Sequence, residues 1–452
     1  MWFLDQLDAG AGSAYHMPAA LLMRGVLDQV ALKAALDRLV ARHESLRTTF
    51  ERRGKQPVQI IAAPNCGFAL SEQDLRALPY EQASLSAARI GNSEALAPFD
   101  LARGPLIRGR LLRLADDEHI LLITQHHIIS DGWSVGILVK ELAALYQAFS
   151  QHQADPLPVL PIQYADYAAW QHQALDGEHL NRQADFWREH LGGAPALLSL
   201  PTDRPRPAMQ SYRGGDVPVQ ITPALRERLE RFCQQHNVTL FMALLSAWSV
   251  LMARLGNERD VVIGVPTANR GRTETENLIG FFVNTLALRV NLTENPSVLE
   301  LLEQIKQTTL AAHEYQDIPF EQVIEALQPP RSLSHNPLCQ VALSLDNTPD
   351  GGELSLPGLT LAPVAQAHET AQFDLMLTLG NDGGDLAGVI EYASDLFDRA
   401  TVERFAQHFQ ILLEAMVEAV EQPVLSLPLL SPAQRQASPA TLPPKAACAP
   451  GC

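Results

Sequence analysis

The stretch Thr124-Gln-His-His-Ile-Ile-Ser-Asp-Gly-Trp-Ser134 leaves this chain few ways to fold. Just before it, Ile120-Leu-Leu-Ile-Thr124 is a continuous apolar run of strand length, which predicts a buried strand. Just after it, residues 135–146 carry apolar side chains at helical spacing, with Ser134 as the expected N-cap. Two adjacent histidines, an Asp and a Gly therefore fall where a strand ends and a helix begins. A side chain at such a junction is aimed by rigid elements on both sides.

Successive side chains on a strand point to opposite faces. One histidine is then held by hydrogen bonds within the fold while the other faces a cavity. His126 is assigned the structural hydrogen bond and His127 the chemistry. Imidazole titrates near neutral pH, so His127 suits a base or an amine-positioning group. Asp131 has three readings: metal ligand, orienter of a histidine, or structural ion-pair partner. No third His or Cys stands nearby at ligand spacing, which leaves a metal poorly supported.

At 452 residues the chain exceeds what one core usually fills, so two lobes are expected. Its net charge of -17 opposes binding to a nucleic-acid backbone, which needs clustered positive charge. The five cysteines are scattered, with no CxxC pair, which fits a reducing cytoplasm better than a disulfide framework or zinc site. The first residues have no basic stretch followed by an apolar core and do not read as a signal peptide. The most apolar helical run, residues 241–253, is short for a membrane span and reads as a buried core helix.

Further elements follow from pattern. Residues 27–42 and 225–235 have helical periodicity. Residues 106–114 and 118–124 form an expected hairpin about an acidic turn, its second arm delivering the histidines. The proline-rich stretch 200–207 continues neither helix nor central strand and marks a boundary. Residues 373–379 and 389–392 read as paired strands, and 397–420 as a final amphipathic helix.

The string His126-His-Ile-Ile-Ser-Asp-Gly132 resembles the HHxxxDG signature of condensation domains from nonribosomal peptide synthetases, within the chloramphenicol acetyltransferase-like acyltransferases. The likeness recurs in order along nearly the whole chain. Residues 42–50 resemble RHExLRTxF, 164–171 YxDYAxWQ, and 200–207 LPxDRPRP. Segments 266–272, 279–285, 313–321 and 334–340 resemble later motifs, with His335 and Cys339 as departures. Trp2 to Leu7 is similar to the second half of a first motif whose usual preceding residues are absent, which points to a start inside the natural domain or to first residues that were omitted.

The resemblance implies an α/β (α+β) fold of two acetyltransferase-like lobes, each a mixed sheet with helices, set as a V around a central tunnel. It implies lobes at 1–165 and 210–425, a connection at 166–209, and at 426–452 a linker towards an adenylation domain with a disordered tail. The implied activity is amide-bond formation: a carrier-bound aminoacyl amine attacks a carrier-bound acyl or peptidyl thioester. No intrinsic cofactor is implied. The phosphopantetheine arms of donor and acceptor peptidyl carrier domains enter the tunnel, with no nucleic acid, no membrane and a monomeric chain.

The likeness makes Arg270, from the other lobe, the ion-pair partner of Asp131. Gly132 lets backbone and substrate approach closely, and its N–H is a candidate donor to the oxyanion. Trp133, Ser134 and Asn284 are implied anchors or walls of the cleft. The motif wording is similar to the subtype joining two L-residues. The alternatives are a starter subtype that places a fatty acyl group, from an acyl carrier or acyl-coenzyme A, on the first amino acid, and a silent recruitment module of the same fold. A stand-alone coenzyme A acyltransferase is a further rival.

Overall fold

The structure is a computed structural model and describes residues 1–2, 12–54, 56–330, 332–346, 356–364, 369–382 and 385–431. Its strands are β1 (His16–Gly25), β2 (Thr48–Arg53), β3 (Gln56–Ile61), β4 (Ala69–Asp74), β5 (Ile107–Arg113), β6 (Glu118–His126), β7 (Gly214–Ile221), β8 (Asp260–Thr267), β9 (Asn284–Asn291), β10 (Val341–Asp346), β11 (Leu359–Pro363), β12 (Leu375–Asp382) and β13 (Asp385–Ala393). They make a sheet in the order β11-β1-β6-β5-β4, a second in the order β7-β13-β12-β10-β8-β9, and the β2-β3 ribbon. Both large sheets mix parallel and antiparallel pairs and carry helices, the α/β architecture expected.

β5 and β6 form the hairpin anticipated about the acidic turn, with Arg113 opposite His119. Strand alternation sorts β6 between two cores. Leu121 packs with the helices Gln29–Arg42 and Gly132–Ser150, while Ile120 and Leu122 pack with Ala83 and Ala87 of the helix Tyr80–Leu96. Apolar groups on both faces explain why the run is continuous rather than alternating.

The second sheet packs around the helix Leu240–Gly256, in which every residue from Met242 to Ala253 is buried. That explains its apolar composition without a membrane. Among the described residues no single helix is long and apolar enough to cross one. The proline-rich connection is pinned to this half: the Asp203 N–H donates to the Leu396 carbonyl, and Arg206 pairs with Asp374 at 2.9 Å. Residues 423–431 are docked there too, with Val424 and Leu427 buried. The tail 437–452 and most of the Trp2 to Leu7 segment lie outside the described residues.

Two features depart from the sequence reading. β11 comes from the second half of the chain yet pairs antiparallel with β1, so the two halves share a sheet. The central helix begins at Gly132 and its N-cap is Asp131, whose Oδ1 accepts the Ser134 N–H at 2.8 Å. Asp is as good a cap as Ser. The Ser134 hydroxyl is turned to contacts from the other half of the chain.

Candidate active site

His126 is the last residue of β6 and faces His16, Tyr15 and Phe99. Its Nδ1 accepts the Ile128 N–H at 3.0 Å, so the ring is the neutral Nε2–H tautomer. Burial pushes this imidazole down to about 3, with the charges of His16 and His127 adding to the effect. A neutral buried histidine links stability to pH. The unfolded chain takes up the proton near the ordinary value of about 6.5 and the folded chain does not, so stability is full above that pH and falls as pH drops towards 3. Acidification from pH 7 to 5 is expected to lower the melting temperature. In His126→Gln that slope should be flatter; an unchanged slope would show that other groups carry it.

His127 opens a short 3-10 turn, His127–Ile129, that separates strand from helix. Its backbone N–H donates to the Tyr15 carbonyl at 2.8 Å. Its Nδ1 lies 2.6 Å from the Ser130 carbonyl oxygen. A carbonyl only accepts, so Nδ1 carries the proton and Nε2 holds a free lone pair. The ring is half-buried and perpendicular to that of Phe281, 5.2 Å away between centroids. The two histidines thus differ in burial, tautomer and surroundings, although they are adjacent in the chain.

Asp131 is the knot between the halves. Oδ1 caps the helix, and Oδ2 accepts the Phe282 N–H at 3.0 Å. Arg270 reaches the same carboxylate through Nη2 at 3.1 Å, with both side chains almost fully buried. The guanidinium also donates to the carbonyls of Thr275 (2.6 Å) and Leu278 (2.8 Å) and lies over the Phe282 ring. Burial pulls Arg270 below its ordinary value, and Asp131 opposes that pull. The Ser134 hydroxyl accepts from Arg270 at 2.8 Å and from the Gly280 N–H at 3.1 Å.

Gly132 is exposed, and a Cβ there would meet open space, so no neighbouring protein atom demands glycine. Trp133 donates through Nε1 to the Glu276 carbonyl at 3.0 Å. Asn284 donates to the carbonyls of Gln316 and Ile318, and its Oδ1 accepts the N–H of Thr285 and of Phe320. Both side chains spend their polar groups on backbone. His43, in the segment that resembles RHExLRTxF, donates to Glu141 at 2.7 Å and accepts the Ile279 N–H at 3.4 Å. Among the described residues, no group of three or more His, Cys, Asp or Glu is arranged to hold a metal ion.

Sequence reasoning overlooked Phe281 and Tyr164 as site residues, and the carbonyls of Tyr15 and Ser130. A carbonyl leaves no trace in residue type. Tyr164 was visible only as one aromatic among several in 164–171.

A family model described as "Condensation domain" matches residues 1–437. Malpinin synthetase of Mortierella alpina is 47% identical over 436 residues, covering 96% of this chain and 6% of that protein. Chondramide synthase cmdD of Chondromyces crocatus is 42% identical over 417 residues, covering 92% of this chain and 11% of that protein. The chain therefore spans only a small part of the length of these curated relatives. Among solved structures, the X-domain from teicoplanin biosynthesis is similar with a TM-score of 0.85 and 30% identity, covering 94% of this chain and 97% of that one.

Proposed function

The chain belongs to the condensation-domain family, and from that premise we propose that it joins a carrier-bound amine to a carrier-bound thioester. The observation that carries this reading is the 2.6 Å approach of His127 Nδ1 to the Ser130 carbonyl oxygen: an Nδ1–H given to that carbonyl leaves Nε2 to accept a proton. The acceptor amine attacks the thioester carbonyl, forming the C–N bond. Nε2 takes the ammonium proton of the adduct. The C–S bond breaks, and the leaving thiolate recovers a proton from the imidazolium. An α-amine has a pKa of about 8, so roughly a tenth is already neutral at pH 7 and His127 need not deprotonate it beforehand.

The Gly132 N–H is the proposed donor to the oxyanion, as its exposed backbone has open space beside it. No resident cofactor takes part in this scheme, because the thioester arrives activated. Phosphopantetheine arms of a donor and an acceptor carrier domain deliver the two substrates. Holding them together is worth roughly 7–11 kcal/mol of barrier, more than the roughly 10²–10⁴-fold expected of a base.

The test supplies one carrier protein loaded with a peptidyl thioester and a second loaded with an aminoacyl group. Mass spectrometry should find the amide on the second carrier. A fatty acyl donor is run in parallel. Product from the fatty acyl donor alone would replace the elongation reading by the starter one. No amide from either donor would overturn the proposal and leave a recruitment module.

A further inference from the structure

We infer that Phe281 is a positioning residue for the His127 imidazole and that Tyr164 acts through it by holding the Phe281 peptide. The inference rests on the role proposed for His127 and extends it to residues of the other half of the chain.

Three hydrogen bonds, to backbone groups of the consecutive residues 280, 281 and 282, fix Phe281 from the first half. The Gly280 N–H donates to Ser134 Oγ at 3.1 Å. The Phe281 carbonyl accepts the Tyr164 hydroxyl at 2.7 Å. The Phe282 N–H donates to Asp131 Oδ2 at 3.0 Å. Backbone held at three consecutive residues leaves little freedom to the direction of the side chain between them. That side chain meets the His127 ring at right angles, with 5.2 Å between centroids. Perpendicular aromatic contacts of this spacing are favourable and directional.

Tyr164 fits its place closely. Its ring is edge-on to Phe282 at 5.1 Å and lies against Gly280, where a Cβ would approach the ring carbon Cδ2 to 2.2 Å. Burial raises its phenol well above the ordinary tyrosine range, so it stays a neutral donor. Among the described residues, the His127 side chain hydrogen-bonds to Ser130 alone. One bond fixes one nitrogen and leaves the ring free to swing about it. A ring packed perpendicular to the imidazole removes that freedom and keeps Nδ1–H on the carbonyl and Nε2 available.

The test uses the full chain with Phe281→Leu and Tyr164→Phe. The second removes one oxygen and keeps the ring, so it remains informative if Phe281→Leu folds poorly. Two quantities are read: kcat and KM in the two-carrier reaction, and the imidazole ¹⁵N shifts of His127 without substrate, assigned by their loss in His127→Ala. Phe281→Leu should lower kcat roughly ten-fold while KM for both loaded carriers stays within about two-fold. It should also move His127 from the Nδ1–H tautomer towards a mixture. Tyr164→Phe should move both readouts the same way by less.

A purely structural role would lower the melting temperature and leave kcat per folded molecule and the tautomer unchanged, which overturns the inference. If the unmodified chain makes no amide but the tautomer still shifts in the variants, the functional reading falls and this one stands. If it makes amide and both variants match it in kcat and tautomer, this one falls alone.

Discussion

His127→Ala is expected to slow amide formation by roughly 10²–10⁴-fold, the range typical of a positioned base. Folding should be little affected. The ring is half-buried, and its side-chain hydrogen bond is to a carbonyl three residues away, so truncation strands no charge. Single-turnover assays with saturating loaded carriers isolate the chemical step. On the proposed two-carrier scheme KM should hardly move, because the substitution alters neither the carriers nor the arms that would deliver the substrates. Residual activity should stay well above the reaction in free solution, since alignment of the two arms survives. A His127→Ala rate within a few-fold of the unmodified chain would remove this imidazole from the mechanism. His126→Ala makes a useful contrast. That ring is buried among Tyr15, His16 and Phe99, so its loss should appear first as reduced stability.

The difference between these histidines shows how far the chain could be read before its structure. The strand read at residues 120–124, which the structure extends to Glu118–His126, was plain because its apolar residues serve two cores at once. The hairpin and the buried helix Leu240–Gly256 were plain for similar reasons of local pattern and length. The capping residue was not. Asp131 and Ser134 are equally good N-caps by type, and what separates them is the segment 270–282, far away in sequence. Arg270 came from family likeness alone, since an arginine in a loop carries no local sign of its partner. β11 escaped notice because its pairing is to β1, in the other half of the chain, and a long-range pairing leaves no local sign. Phe281 and Tyr164 sit among other aromatic residues in segments 279–285 and 164–171, and residue type alone does not single them out. Their role depends on orientation, and orientation is set by hydrogen bonds to backbone that no residue code records.

Asp131→Ala is expected to cost on the order of 3–5 kcal/mol, because it leaves the Arg270 guanidinium buried without its carboxylate. Both side chains are almost completely buried, so solvent offers little relief. The carboxylate also caps the central helix and holds the Phe282 N–H, so three kinds of contact fail together. The loss should appear as a lower denaturation midpoint and a smaller soluble yield. Asp131→Asn tests the division of labour. It keeps an oxygen for the Ser134 N–H but removes the charge, and should fall between the unmodified chain and alanine. Arg270→Met removes the other ion while its stem still covers Phe282. The carboxylate it leaves behind keeps the donors Ser134 and Phe282, so this loss should be the smaller of the two. Combining Asp131→Ala with Arg270→Met should cost less than the sum of the separate changes, since neither charge is then stranded. Strict additivity, or an Asp131→Ala protein as stable as the parent, would mean that the pair is relieved by water or by rearrangement of the 270–282 segment. If the pair does hold, activity in Asp131→Ala should fall further than the folded fraction does. Asp131 directly follows Ser130, whose carbonyl fixes the tautomer of His127, and a helix that starts elsewhere moves that carbonyl.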